Sequence, residues 1–162
     1  MPTTTFCTMQ IGINALTGAC DLMIVPTGNG RGRIAVDRTP VSSLLIAMGS
    51  DRRADTDDVI PELLTAPAGT EGGVFSRRGW PGDVLLPDGQ RLGNRFWLYE
   101  RGKQDETTRQ DVENAAAEAV EPIADYHGIE IDTSAAWGTQ RGRLNVTVSA
   151  QDYGVSAQVQ TL

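Results

Sequence analysis

Apolar residues along this chain recur at helical spacing in two stretches and alternate with polar residues in several others. Val41, Leu44, Leu45 and Met48 lie at i, i+3, i+4 and i+7, the stripe of a helix that rests on a core. Thr39 and Pro40 open this helix, Thr as N-cap and Pro at the first helical position, where its missing N–H costs nothing. Gly49 is placed to end it as a C-terminal cap. A second stripe, Val112, Ala116, Ala119, Ile123 and Tyr126, predicts a longer helix from Asp105 or Thr107 to His127-Gly128. Ala115 and Ala116 permit close approach of a neighbour, and the His127 imidazole falls near the negative end of the helix dipole. Pro122 predicts a kink or an early end, because it removes a hydrogen bond and clashes one turn back.

Alternation marks the strands. Ile129 and Ile131 alternate with Glu130 and Asp132, and Leu144, Val146 and Val148 alternate with Asn145, Thr147 and Ser149. With residues 137–142 as a loop, these form a half-buried hairpin. Val155, Ala157 and Val159 continue the pattern at the chain's end. Near the beginning, residues 1–20 read as an extended arm with one strand through Met9–Ile13. Asp21–Val25 is a firmer strand, closed by the turn signal Pro26-Thr27-Gly28-Asn29-Gly30, and Arg33–Val36 forms a short return. Residues 50–76 are a long polar stretch broken by Ile60-Pro61-Glu62-Leu63-Leu64, and loops of this length are functional or mobile. The sum is an α+β fold: a small, mostly antiparallel sheet packed on two principal helices (40–49 and 106–127), with long loops and an extended N-terminal arm. The expected organisation is an arm at 1–20, one domain at 21–152, and a strand or tail at 153–162.

Charge refines this picture. The 162 residues carry a net −7, which argues against non-specific contact with nucleic acid or anionic membrane. Residues 105–132 hold nine acids (Asp105, Glu106, Asp111, Glu113, Glu118, Glu121, Asp125, Glu130 and Asp132) against Arg109 alone. An acidic helix beside a near-neutral, arginine-bearing body suits complementary docking between subunits, although most such carboxylates simply face water. Cys7 and Cys20 are too few for a disulfide framework and read as free thiols made in a reducing cytoplasm. No cation precedes Arg31, so no secretory leader is expected, and the longest apolar run, Leu44–Met48, is too short to span a membrane.

Candidate chemistry is sparse. His127 is the only histidine, so any Ser-His-Asp or Cys-His triad would depend on it. There is no G-x-S-x-G, H-E-x-x-H or paired C-x-x-C, and the glycine-rich residues 27–32 lack the P-loop lysine. Asp55, Asp57 and Asp58 do not match a calcium loop. No enzyme activity, metal or cofactor is expected.

The remaining signal is a constellation of Trp and Arg, residue types that dominate binding hot spots. Gly79, Pro81 and Gly82 bracket Trp80 in a turn that displays its indole; the alternative is a structural turn with Trp97 in a core. In order come the first helix, Asp51-Arg52-Arg53-Ala54, a polar loop, Arg77-Arg78-Gly79-Trp80-Pro81-Gly82-Asp83, Gly93-Asn94-Arg95-Phe96-Trp97-Leu98, an Ala/Glu helix, and Arg141-Gly142-Arg143-Leu144 leading into a strand. This succession over residues 20–150 resembles the small baseplate wedge proteins of Mu-like contractile-tailed phages, relatives of the sheath-initiator class. Pro81 departs from the family, which usually has a second aromatic there, so any contact by that ring is in doubt.

The resemblance implies a helical turn around Phe96-Trp97-Leu98 and a structural role in the tail baseplate of a virion assembled in the host cytoplasm. It implies several copies, sixfold about the hub, in contact with other wedge proteins, the tail hub or tube, and the first ring of sheath. Arg77, Arg78, Trp80, Asp83 and Arg95 are the candidate contact residues, with Trp97 packed beneath. Glu121 joins them because the sheath-initiator class carries Glu-Pro-Arg at the end of this helix; here Ile123 stands at the arginine position, so half of that device is present. Val146, Val148, Val155 and Val159 mark the two strands expected to offer an edge that incoming sheath extends, since little sequence follows to cover them. Two alternatives stay open: a small lysozyme-like hydrolase carried by the tail, and the equivalent adaptor of a contractile secretion system.

Overall fold

The computed structural model describes residues 5–14, 16–17, 19–67, 76–80, 85–87 and 90–162. Six short strands run through residues 8–37, an N-terminal arm that extends beyond the expected residues 1–20: β1 (Thr8–Met9), β2 (Ile11–Ile13), β3 (Cys20–Leu22), β4 (Ile24–Gly28), β5 (Arg31–Ile34) and β6 (Val36–Asp37). They pair antiparallel as β1–β6, β2–β3 and β4–β5. The three predicted strands are therefore present, but each breaks where it changes partner. At that junction Gln10 N donates to Ala35 O (2.9 Å), Met23 N to Gln10 O (3.0 Å) and Ala35 N to Met23 O (2.8 Å). Asn29 and Gly30 turn β4 into β5 with φ of 51° and 68°, the left-handed pair that a tight two-residue hairpin requires.

The arm is tied to α1 (Val41–Gly49) by buried polar groups. Asp37 Oδ2 accepts from Ser42 N (3.0 Å) and Ser42 Oγ (2.6 Å), while its Oδ1 accepts from Thr39 N and Oγ1. Burial alone would raise the Asp37 carboxyl, but these bonds from Ser42 and Thr39 outweigh it and hold it below the ordinary aspartate range. Thr39 was the expected N-cap; its Oγ1 receives only a long bond from Val41 N (3.4 Å), and Asp37 does most of that work. Gly49 is the last helical residue and not a left-handed cap, for the chain leaves through an extended Ser50.

The long polar stretch carries a four-residue helix, α2 (Pro61–Leu64), begun by Pro61 at its first turn. Phe96–Tyr99 form the 3-10 helix expected from the resemblance. α3 (Glu106–His127) begins at Asp105, which accepts from Thr108 N at 2.8 Å, and ends on Gly128 in the left-handed conformation (φ 62°). It runs through Pro122 without the early end that proline suggested. Its buried face is Thr108, Val112, Ala115, Ala116, Ala119 and Val120, whereas Tyr126, assigned to the stripe, is 72 % exposed.

Three strands complete the body: β7 (Asp132–Trp137), β8 (Arg143–Ala150) and β9 (Tyr153–Gln160), antiparallel in the order β7-β8-β9. The first begins at Asp132, so Ile129 and Ile131 precede it and pack at its entry. β9 pairs with β8 along its whole length, from Ala150↔Tyr153 to Arg143↔Gln160. One face of the sheet meets α1 and α3 in a core of Leu44, Val112, Ala116, Leu144, Val146 and Val148, with Phe96, Val155 and Val159 at its margin. Burying an aliphatic side chain of this size contributes about 1.5–3 kcal/mol, so this layer carries most of the stabilisation.

Candidate docking surfaces

The Gly93–Leu98 segment is a clamp before it is a surface. Asn94 is buried, and its Nδ2 donates to the carbonyls of Ala47 (3.0 Å), Met48 (2.8 Å) and Ser50 (3.3 Å), the orphan acceptors at the end of α1. Its Oδ1 accepts from Phe96 N (3.0 Å) and so opens the 3-10 helix. Gly93 has φ +91°, and a Cβ there would lie 2.3 Å from Ser50 O. Phe96 enters the main core, while Trp97, 2 % exposed, builds a second small core with Ala54 and Ile60. The Trp97 indole N–H donates to Arg52 O at 3.0 Å.

Arginines from this segment and from Asp51–Ala54 bind this second core to α3. Arg95 Nη1 reaches both oxygens of Asp58 (2.9 and 3.0 Å), and its Nη2 reaches Glu118 (2.7 Å). Arg52 takes the other oxygen of Glu118 at 2.7 Å. Burial opposes the Arg95 charge, yet the bonds to Asp58 and Glu118 prevail and raise its pKa above the usual arginine value. Arg95, expected at a contact with another subunit, is thus engaged inside its own chain. Nothing in the helical pattern distinguishes Glu118 from the other acids of α3; the two arginines meet it only in the fold.

The Arg-Gly-Trp turn lies against the same framework. Arg77 donates to the backbone carbonyls of Asp55 and Thr56, and its own carbonyl accepts from Ala54 N (3.0 Å). Arg78 pairs with Asp51 (2.9 Å) and Glu100 (3.4 Å), and its guanidinium stands 5.3 Å from the Trp97 ring centre. Gly79 has φ +84°, and a Cβ there would meet Arg53 N at 2.2 Å, so only glycine fits. Trp80 is 44 % exposed, which leaves a large ring at the surface next to a turn held rigidly from below. Asp83 lies outside the described residues.

The strand candidates divide. β8 is central, paired on both sides, so it has no edge to offer; the expectation that Leu144–Ala150 might template another strand is corrected on that ground. The side chains of Val146, Val148, Val155 and Val159 all face the chain's own core. What remains is the outer backbone edge of β9, to which no other described strand pairs. A groove of about 590 Å³ lies between β9, the end of α1 and residues 94–100; Met48, Asn94, Trp97, Gln158, Gln160 and Leu162 help line it. At the opposite end of the sheet Arg109, paired with Glu106 and Glu113, donates to Ala135 O of β7 (3.1 Å). That bond from α3 occupies one backbone acceptor of β7. Glu121 is exposed on α3.

Among the described residues no group of three or more His, Cys, Asp or Glu could hold a metal ion, and no helix is long and apolar enough to cross a membrane. Cys7 and Cys20 are exposed free thiols. The arginine and tryptophan motifs of this small α+β domain go mainly into its own framework, while the Trp80 ring and apolar residues of the arm stay exposed and no other described strand pairs with the outer edge of β9. A family model described as Phage protein GP46 matches residues 40–155, and the chain belongs to that family of phage proteins. The match takes in both the Arg-Gly-Trp turn and the Asn-Arg-Phe-Trp clamp. No curated protein matches the chain.

Proposed function

We propose that this phage protein is a structural subunit of a contractile-tail baseplate, a wedge component that links hub and wedge proteins and initiates the sheath. Family membership supports a phage role, and the resemblance of its motifs to the Mu-like wedge proteins supports the baseplate. The single observation that carries the initiator part is β9: an outermost strand, paired among the described residues on one side only, that lines a groove of about 590 Å³. Such an edge presents unpaired N–H and C=O groups, and an incoming strand gains a ladder of hydrogen bonds by adding to it. The partners are other wedge proteins through the Trp80 turn, the hub or tube, and the first sheath ring at β9. Several copies would stand around the hub, in a sixfold set within the virion.

The test exploits the edge. Removing residues 154–162 would also remove the buried Val155 and Val159, so truncation would confuse unfolding with loss of the edge. Gln158→Lys with Gln160→Lys instead places two cations on exposed groove-lining positions and blunts the strand as natural edges are blunted. The expected outcome in a tail-assembly system is a folded subunit, an assembled baseplate and no extended sheath. Full-length sheath on such baseplates would contradict the initiator role. Clearing of peptidoglycan by the purified chain would favour a hydrolase instead.

A further inference from the structure

We propose that the N-terminal arm docks on the C-terminal end of α3 in a second copy of this chain. The arm presents apolar residues that its own fold does not cover. Directly opposed residues of a ladder share a face. Ile24 stands opposite Ile34, and Met9 opposite Val36, and all four are exposed, Ile24 at 58 %. On the reverse face Val25 lies opposite Arg33. A two-stranded ribbon has no second layer for these side chains, and a ribbon of this kind is marginal unless something packs on it.

Charge identifies the occupant. Arg31, Arg33 and Arg38 are exposed and enter none of the ion pairs among the described residues. Asp37 is drawn inward to Thr39 and Ser42, so the arm's outward charge is positive, with Asp21 alone against it. On α3, Glu106 and Glu113 are taken up by Arg109, and Glu118 by Arg52 and Arg95. Apart from the capping Asp105 and the half-buried Asp111, the acids outside these pairs collect at its far end: Glu121 and Asp125 one turn apart on the exposed face, then Glu130 and Asp132. The exposed Tyr126, its ring edge-on to His127, sits among them. Within one molecule the arm's root reaches this same end through Phe6 stacked on His127 (3.6 Å), yet Arg31, Arg33 and Arg38 pair with no carboxylate among the described residues.

A tip-to-helix contact between copies uses two different patches, so repetition generates a ring or an open filament. The interface is independent of the baseplate reading, which needs no contact between copies.

Sedimentation velocity on the full chain tests the proposal. The wild type associates at low salt and dissociates as salt rises, because exposed charge pairs are screened. Arg31→Glu with Arg33→Glu weakens association by about tenfold or more, and so does Glu121→Arg with Asp125→Arg. A chain carrying all four reversals recovers it, since the complementary pairs are restored with opposite sign. All substituted positions are exposed, so circular dichroism should show each variant folded. A wild type that stays monomeric at low salt up to about 100 μM would overturn the proposal. So would association indifferent to either pair of reversals, or failure of the fourfold variant to regain it. Capture of another tail protein by the arm of a chain that never self-associates would overturn it as well.

Discussion

The body and the arm of this molecule are built from the same kinds of aliphatic side chain, and they use them in opposite ways. In the body, alternating residues of β8 and β9 face two helices, and Leu144, Val146 and Val148 lose all contact with solvent. In the arm, α1 lies against β1 and β2, while Ile24 of β4, Ile34 of β5 and Val36 of β6 stay in water. Pattern alone therefore specifies a strand, while burial depends on whether a second layer exists. The arm is held at its base by polar and aromatic contacts: Asp37 with Ser42, Ile11 N to Ser42 Oγ at 3.1 Å, and Phe6 on His127. Stability in this chain resides in the body, and the arm's apolar surface is available to a partner.

The largest effect expected from breaking this contrast is in the second small core. Trp97→Ala removes a fully packed ring and its bond to Arg52 O, and should cost about 3–5 kcal/mol in urea unfolding. A loss below 1 kcal/mol would show that residues 50–67 and 76–80 are not part of the cooperative unit. Asn94→Ala comes next: the Ala47 and Met48 carbonyls at the end of α1 lose their side-chain donor, while Ser50 O keeps the Asn94 backbone N–H, for an expected cost of about 1–3 kcal/mol. Asn94→Asp keeps the size but not the donor and should be no better.

These two residues also show where sequence reasoning reached and where it stopped. The stripe of α1, the Asp105 start and Gly128 end of α3, and the alternation of β8 were legible because each is a local rule with one strong residue type at each position. β7 was legible only in part. Its Thr-Ser-Ala-Ala run has weak strand character of its own, and it is a strand because six of its residues pair with β8. Thr39 looked like the cap of α1, yet Asp37, two residues earlier, holds the helix because the arm folds back over it. Of the candidate site, the Arg-Gly-Trp turn and the Asn-Arg-Phe-Trp segment were found as motifs, but their roles depend on contacts 20 to 47 residues away in sequence, such as Asn94 with Ala47 and Arg95 with Glu118. Those are set by tertiary packing and leave no periodic trace.

A smaller effect is expected at the joint between arm and body. The Asp37 carboxyl is depressed in the folded chain, so its contribution is fully present above the ordinary aspartate pKa and is lost as pH falls through the folded value. Wild-type unfolding free energy should therefore fall in acid below about pH 4, and Asp37→Asn should be less stable at pH 7 with a flatter acid limb. Identical acid limbs would show that Asp37 does not secure the joint. The smallest effect sharpens the comparison from the other side. Ile24→Ala with Ile34→Ala, both exposed, should change global stability by no more than about 0.5 kcal/mol, whereas Val148→Ala in the body should cost several times that. Equal costs would mean that the arm has a covered apolar layer after all.

The central claim, that this phage protein is a structural part of a contractile-tail baseplate, is tested most directly by electron cryomicroscopy of purified tails. The account predicts density for the sheet-and-helix body at the baseplate, repeated around the tail axis, with β9 facing the first sheath ring and the arm directed away from its own core. Finding the chain in the capsid or neck, or finding tails complete without it, would contradict the account.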